Sequence, residues 1–177
     1  MERKLLIIDS SAFIEQLLMQ GNHDKYDLKI LEFIEKGYQC SITPIIIYEV
    51  MDRILDEVKK KDYSSICVTK NSGYKLESQA YSKFLSDFRF LLCKYTCTTK
   101  ILYPKGENFS NLLYNCISIR LFNGSQDRIN LAIAVSNLNS DDNIFITGDG
   151  PIYNQRNEIF NLSDSRLKIY HIKKGFS

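Results

Sequence analysis

Asp9 and Asp149 are the residues with the clearest chemical potential, because each follows an apolar run that gives a carboxylate no packing role. Leu5-Leu6-Ile7-Ile8 precedes Asp9, and Ile144-Phe145-Ile146-Thr147-Gly148 precedes Asp149. Such runs read as strands buried on both faces of a parallel sheet. The carboxyl ends of such strands are where open α/β sheets place ligands and chemistry. Asp127 falls in the first turn of a helix and heads an apolar face made by Leu131, Ala134, Val135 and Leu138. Glu49 comes early in the helix after Thr43-Pro44, but on a regular helix it lies roughly opposite the Ile47/Met51/Ile54 stripe. Periodicity alone therefore does not put Glu49 in a site.

Each acid also has a plain structural use. Asp127 and Glu49 complement a helix dipole, Asp149 before Gly150-Pro151 suits a turn, and Asp9 suits a helix cap. Their joint placement at the ends of successive elements favours chemistry. Carboxylates held a few Å apart repel unless a cation neutralises them or some are protonated. Hard oxygen donors of this kind suit Mg²⁺ or Mn²⁺, which lower the pKa of bound water and offset charge in an in-line displacement at phosphorus. The only histidines, His23 and His171, are isolated, and no glycine-rich phosphate loop is present.

The elements that must position these acids follow from the rest of the 177 residues, a length that suits one domain. The net charge of +2, with 44% hydrophobic and 25% charged residues, is that of an ordinary soluble globule. No apolar run approaches the roughly 20 residues that cross a bilayer, and the expected location is cytoplasmic. Five scattered cysteines argue against a disulfide framework or a zinc site, and read as buried free thiols.

Ser10 or Ser11 caps a helix expected to run to about Gln20, and a second helix spans about Tyr26 to Lys36, closed by Gly37. Cys40-Ser41-Ile42 is a short strand, followed by the Thr43-Pro44 helix. A polar loop around Asn71-Ser72-Gly73 precedes a helix from about Ser78 to Tyr95. Lys100 to Pro104 forms the third strand, Phe109 to Leu121 and Gln126 to Leu138 are helices, and Leu167 to Ile172 is the last strand. Strands interleaved with helices in this order make a parallel sheet with right-handed crossovers.

With those pieces placed, the chain resembles the PIN-domain nucleases in four stretches: Ile7-Ile8-Asp9-Ser10-Ser11, Thr43 to Val50, Asp127 to Ala134, and Ile144 to Asp149. The resemblance implies a three-layer α/β/α sandwich around a five-stranded parallel sheet. It implies metal-dependent endoribonuclease activity on single-stranded RNA, as in the toxins of toxin–antitoxin pairs. Carried across, Asp9, Glu49, Asp127 and Asp149 are the Mg²⁺- or Mn²⁺-binding acids, with Ser10 and Thr147 as their hydrogen-bond supports. An antitoxin protein and a homodimer are the partners it implies. The chain departs from the family at Gly150-Pro151-Ile152, where many members carry a further acid, which weakens a second metal site.

A basic and aromatic helical insertion at about 59–98 is the second departure. Its phenylalanines are expected to pack on the core. Its lysines, with Lys59, Lys60 and Lys61 foremost, read either as phosphate contacts or as a solvated face; Arg128 is a further candidate for nucleic acid. Two rivals remain. One is a catalytically weak or inactive PIN-like module for RNA binding or assembly. The other, a haloacid-dehalogenase-type phosphatase, needs an aspartate two residues after Asp9, where Ser11 stands.

Overall fold

The computed structural model describes residues 3–18, 23–59, 73–96, 100–119, 121 and 124–175. In chain order these form β1 (Leu5–Ile8), α1 (Ser10–Leu18), α2 (His23–Glu35), β2 (Gln39–Ile42), α3 (Pro44–Lys59), α4 (Gly73–Thr96) and β3 (Lys100–Ile101). There follow α5 (Gly106–Ser118), α6 (Ser125–Ser136), β4 (Asn143–Thr147), α7 (Gly150–Asn154), α8 (Arg156–Leu162) and β5 (Leu167–His171). The five strands form one parallel sheet in the order β3-β2-β1-β4-β5.

The period of two along each strand builds a core on each face. Leu6, Ile8, Cys40, Ile42, Ile144 and Ile146 face the side covered by Phe13 of α1, Ile30 of α2, Val50 of α3, and Phe84 and Phe88 of α4. Leu5, Ile7, Phe145, Leu167 and Ile169 face α5 to α8 through Leu112, Leu131, Val135, Ile152 and Ile159. The result is the expected three-layer α/β/α sandwich. Of the three phenylalanines of α4, Phe84 and Phe88 pack as expected, with Phe13 edge-on to Phe88 at 5.4 Å between ring centroids, whereas Phe90 is 65% exposed. Of the thiols, Cys40 and Cys116 are buried but Cys93 is exposed on α4, so the expectation of buried cysteines fails there.

The helix expected from Ser78 begins earlier, at Gly73, inside the expected loop; the loop residues before it lie outside the described residues. The third strand is shorter than expected. It ends at Ile101, which at the sheet edge is 43% exposed, while Leu102 turns inward to the second core. Gly37, at φ +85°, closes α2 with the amides of Gly37 and Tyr38 returning to Ile34 and Phe33, and the Phe33 and Tyr38 rings meet at 5.7 Å. No described helix is long and apolar enough to cross a membrane.

At the amino edge of the sheet, Asp142 accepts bonds from Lys4 Nζ (2.8 Å), Lys168 Nζ (3.0 Å) and Tyr38 Oη (2.7 Å), tying β1, β5 and the approach to β2 to the start of β4. The Lys4 bond leads in holding the Asp142 carboxyl well below the usual carboxylate range. A depressed folded-state value contributes stability above the unfolded value near 4, lost as pH falls through the folded one. Asp142→Asn is therefore expected to cost about 1 kcal/mol at pH 7, discounted for partial exposure. In urea titrations, the difference from the parent is expected to shrink steadily from pH 5 to pH 2.

Candidate active site

The strand order reverses at β1: the chain leaves it toward β2 and returns on its other side as β4. A crevice opens at such a switch point, at the carboxyl ends of the two strands. Asp9 is set there by the sheet itself. Its amide donates to the Ile146 carbonyl at 2.9 Å, extending the β1–β4 ladder, and its carbonyl accepts from Ala12 N (3.1 Å) to begin α1.

The side chain is only 3% exposed. Its Oδ2 accepts from Ser11 Oγ at 2.5 Å and from Thr147 Oγ1 at 2.9 Å, and the two hydroxyls are 3.1 Å apart. Burial pushes the Asp9 carboxyl above its usual range; the Ser11, Thr147 and Ser10 hydrogen bonds oppose that, and the Asp149 charge adds to it. The same hydroxyls shape the loop after β4. Ser11 Oγ accepts from Gly148 N (2.8 Å) and Thr147 Oγ1 from Asp149 N (2.9 Å). A Cβ at Gly148 would stand 3.1 Å from Glu15 Cγ and 3.3 Å from the Ser11 carbonyl, so glycine lets this loop lie against α1.

Asp149 precedes α7 with no side-chain capping bond, so its carboxylate is not used as a cap. Asp127 lies in the first turn of α6, folded back so that a Cβ on Gly124 would meet its Oδ2 at 2.7 Å. Burial, then the charges of Asp9 and Asp149, push the Asp127 carboxyl up to about 6, against the pull of Arg128.

The structure also brings in Glu49, which periodicity leaves out. Glu49 is one turn beyond Ile45, and Ile45 packs on the α6 side of the sheet, so α3 turns Glu49 toward α6. Asn130 Nδ2 donates to Glu49 Oε2 at 3.3 Å. Burial raises the Glu49 carboxyl, opposed by hydrogen bonds from Ser10 and Asn130 and reinforced by the charges of Asp9 and Asp127. Asp9 and Asp127 thus each lie within reach of the Asp149 charge, and Glu49 within reach of Asp9 and Asp127.

Thr147 hydrogen-bonds Asp9 and Ser10 hydrogen-bonds Glu49; so do Ser11, to Asp9, and Asn130, to Glu49, neither of which sequence reasoning singled out. Asn130 is buried, and its Oδ1 accepts from Thr43 Oγ1, the hydroxyl that also caps α3 by accepting from Ile46 N at 3.3 Å. The available signal was a polar residue three positions after Asp127, on the same helix face inside an apolar run.

No family model and no curated protein matches the chain. Among solved structures, a chain from the crystal structure of VapBC2 from Rickettsia felis bound to a DNA fragment from their promoter matches it with a TM-score of 0.52 and 15% identity. The match covers 94% of this chain and 98% of that one. The two share a fold. At that identity the likeness carries the architecture alone, and the site rests on its own geometry.

The donor set is oxygen only, four carboxylates with hydroxyl and amide support, which fits Mg²⁺ or Mn²⁺ rather than zinc or copper. Among the described residues no three His, Cys, Asp or Glu side chains are gathered tightly enough to hold an ion as they stand.

The candidate nucleic-acid contacts divide. Arg128 Nε donates to the Leu121 carbonyl at 2.6 Å, so part of its donor fork ties α6 to the preceding segment. Lys59 ends α3, and Lys60 and Lys61 lie outside the described residues. On α4, Lys83 pairs with Asp87 at 2.9 Å and Lys94 pairs with Asp27.

Proposed function

We propose that the chain is a metal-dependent endoribonuclease that hydrolyses single-stranded RNA, of the PIN type and working as the toxin of a toxin–antitoxin pair. The observation that supports this reading is the placement of Asp9 and Asp149 after the neighbouring strands β1 and β4, with Asp127 and Glu49 near enough that Asp9 acts on both their carboxyls. The shared fold with a VapBC2 chain supports it, and the antitoxin partner is proposed on that likeness.

These four acids would hold Mg²⁺ or Mn²⁺, which when bound supplies an acidified water and neutralises charge developing on the phosphate. The chain's own contribution is placement. Ser11 and Thr147 fix the rotamer of Asp9, Asn130 and Ser10 hold Glu49, and Gly148 keeps the loop carrying Asp149 against α1. A low-dielectric floor of Ile8 and Ile146 beneath Asp9 strengthens each of these interactions.

Purified protein with Mn²⁺ and end-labelled single-stranded RNA is expected to give internal cleavage that EDTA abolishes, and Asp149→Asn is expected to lower the rate by about 100-fold or more. Cleavage that survives EDTA, or that Asp149→Asn leaves intact, refutes the reading. The second reading is a non-catalytic RNA-binding or assembly module, since among the described residues no three acids are gathered tightly enough to hold an ion; it would show binding with no product at any Mn²⁺ concentration.

A further inference from the structure

A second charged group stands at the same sheet edge, one strand over. His171 ends β5 in register with Thr147. Its buried ring meets Tyr153 of α7 edge-on at 5.2 Å, and its Nδ1 accepts from Lys173 N at 3.1 Å, while its carbonyl accepts from Lys174 N (3.1 Å) and Gly175 N (2.7 Å). This tight turn holds Lys174 against Tyr153, with Nζ 5.5 Å from the ring centroid. From the other direction along the chain, Arg156 brings its guanidinium carbon to 4.9 Å from the same centroid, with Nη1 3.3 Å from the Tyr153 carbonyl.

Two cations therefore share one ring that is itself 6% exposed. Among the described residues neither has a carboxylate within ion-pair distance, whereas neighbouring Lys173 is neutralised by Glu15 at 2.8 Å. Cations on an aromatic platform without a carboxylate partner are a suitable receptor for a phosphate. The acids of the crevice are close by: His171 pairs in register with Thr147, whose hydroxyl bonds Asp9, and Tyr153 N donates to the Asp149 carbonyl at 3.2 Å. The lysines of α4 that the structure describes with acidic partners, Lys83 and Lys94, contrast with this pair.

Resting on the nuclease reading, we propose that Arg156 and Lys174, mounted on Tyr153, grip a backbone phosphate of the single-stranded RNA next to the one presented to the acids. The strand then runs along the sheet edge over β4 and β5. A phosphodiester chain supplies an anion to this pair while its neighbouring phosphate lies over the acids.

The test is fluorescence anisotropy of full-length protein with a labelled single-stranded RNA in EDTA, which prevents cleavage, at a series of salt concentrations. Arg156→Gln/Lys174→Gln is expected to weaken binding about tenfold and to flatten the log–log salt dependence by about 1.4, at roughly 0.7 for each lost phosphate contact on a single strand. Lys174→Glu, at an exposed position, is expected to weaken it more than Lys174→Gln without disturbing the fold, as circular dichroism would check. Lys83→Gln is expected to change nothing. An unchanged salt slope in the double variant overturns the proposal, as does an equal loss in Lys83→Gln or a parent that binds no RNA. A parent that binds in this manner but never cleaves in Mn²⁺ defeats the nuclease reading and leaves the phosphate grip standing.

Discussion

Asp9→Asn is expected to abolish RNA cleavage while raising the thermal midpoint of the protein in EDTA. The two effects have one cause. The Asp9 carboxylate is buried at the end of β1, and burial outweighs the help it receives from Ser11 and Thr147, so the folded protein disfavours its charge. An amide of the same shape keeps the packing and removes that cost. It also removes the most enclosed of the anionic ligands proposed for the metal. Losing about 4 kcal/mol of metal-dependent transition-state stabilisation corresponds to about a 10³-fold fall in rate.

Thermal melts with and without Mn²⁺ separate the two parts. The parent is expected to gain stability from Mn²⁺ by mass action, and Asp9→Asn to gain much less. A variant that melts lower than the parent in EDTA would show that the charge supports the fold, and an undiminished Mn²⁺ effect would remove Asp9 from the metal centre. Activity maintained against stability in this way is common at functional sites.

The two strands that carry Asp9 and Asp149 are legible in the sequence because burial on both faces leaves an unbroken apolar run, and a carboxylate after such a run has little to contribute to packing. Neither strand order nor face can be read the same way. Glu49 shows why: a helical wheel weighs only the stripe facing one core, yet α3 touches both cores, through Val50 on one face and Ile45 on the other. A residue one turn from Ile45 then points over the sheet edge, a fact fixed by the docking of α3 against α6.

Ser11 and Asn130 escape the sequence for a related reason. The partner of Asn130, Glu49, is 81 positions away, and although Ser11 bonds Asp9 only two positions before it, its other contacts, Thr147 and Gly148, lie 136 and 137 positions away, pairs that no local pattern encodes. Lys174 and Arg156 are equally silent, because each is an ordinary surface cation until β5 and α7 bring them to one tyrosine. The conspicuous basic stretch, by contrast, contains Lys83 and Lys94, which the fold pairs with acids.

Thr147→Val is expected to destabilise the metal-free protein by about 2 kcal/mol, a fall of roughly 4–8 °C in thermal midpoint for a chain of this size. Valine keeps the β-branched shape that a buried central strand favours, so the loss isolates the hydroxyl. That hydroxyl donates to the Asp9 carboxylate and accepts from the Asp149 amide, and both would lose a partner at a position where Thr147 and Asp9 are buried. A hydrogen bond to a charged acceptor contributes more than one to a neutral acceptor. The same substitution made on top of Asp9→Asn is therefore expected to cost only about 1 kcal/mol, leaving a coupling of about 1 kcal/mol between the two positions. Urea denaturation of the four proteins in EDTA at pH 7 measures it. If Thr147→Val costs the same in both backgrounds, the hydroxyl serves the loop before α7 and not the acid. Asp9 would then owe its orientation to Ser11, and Ser11→Ala would be the substitution that couples to Asp9→Asn.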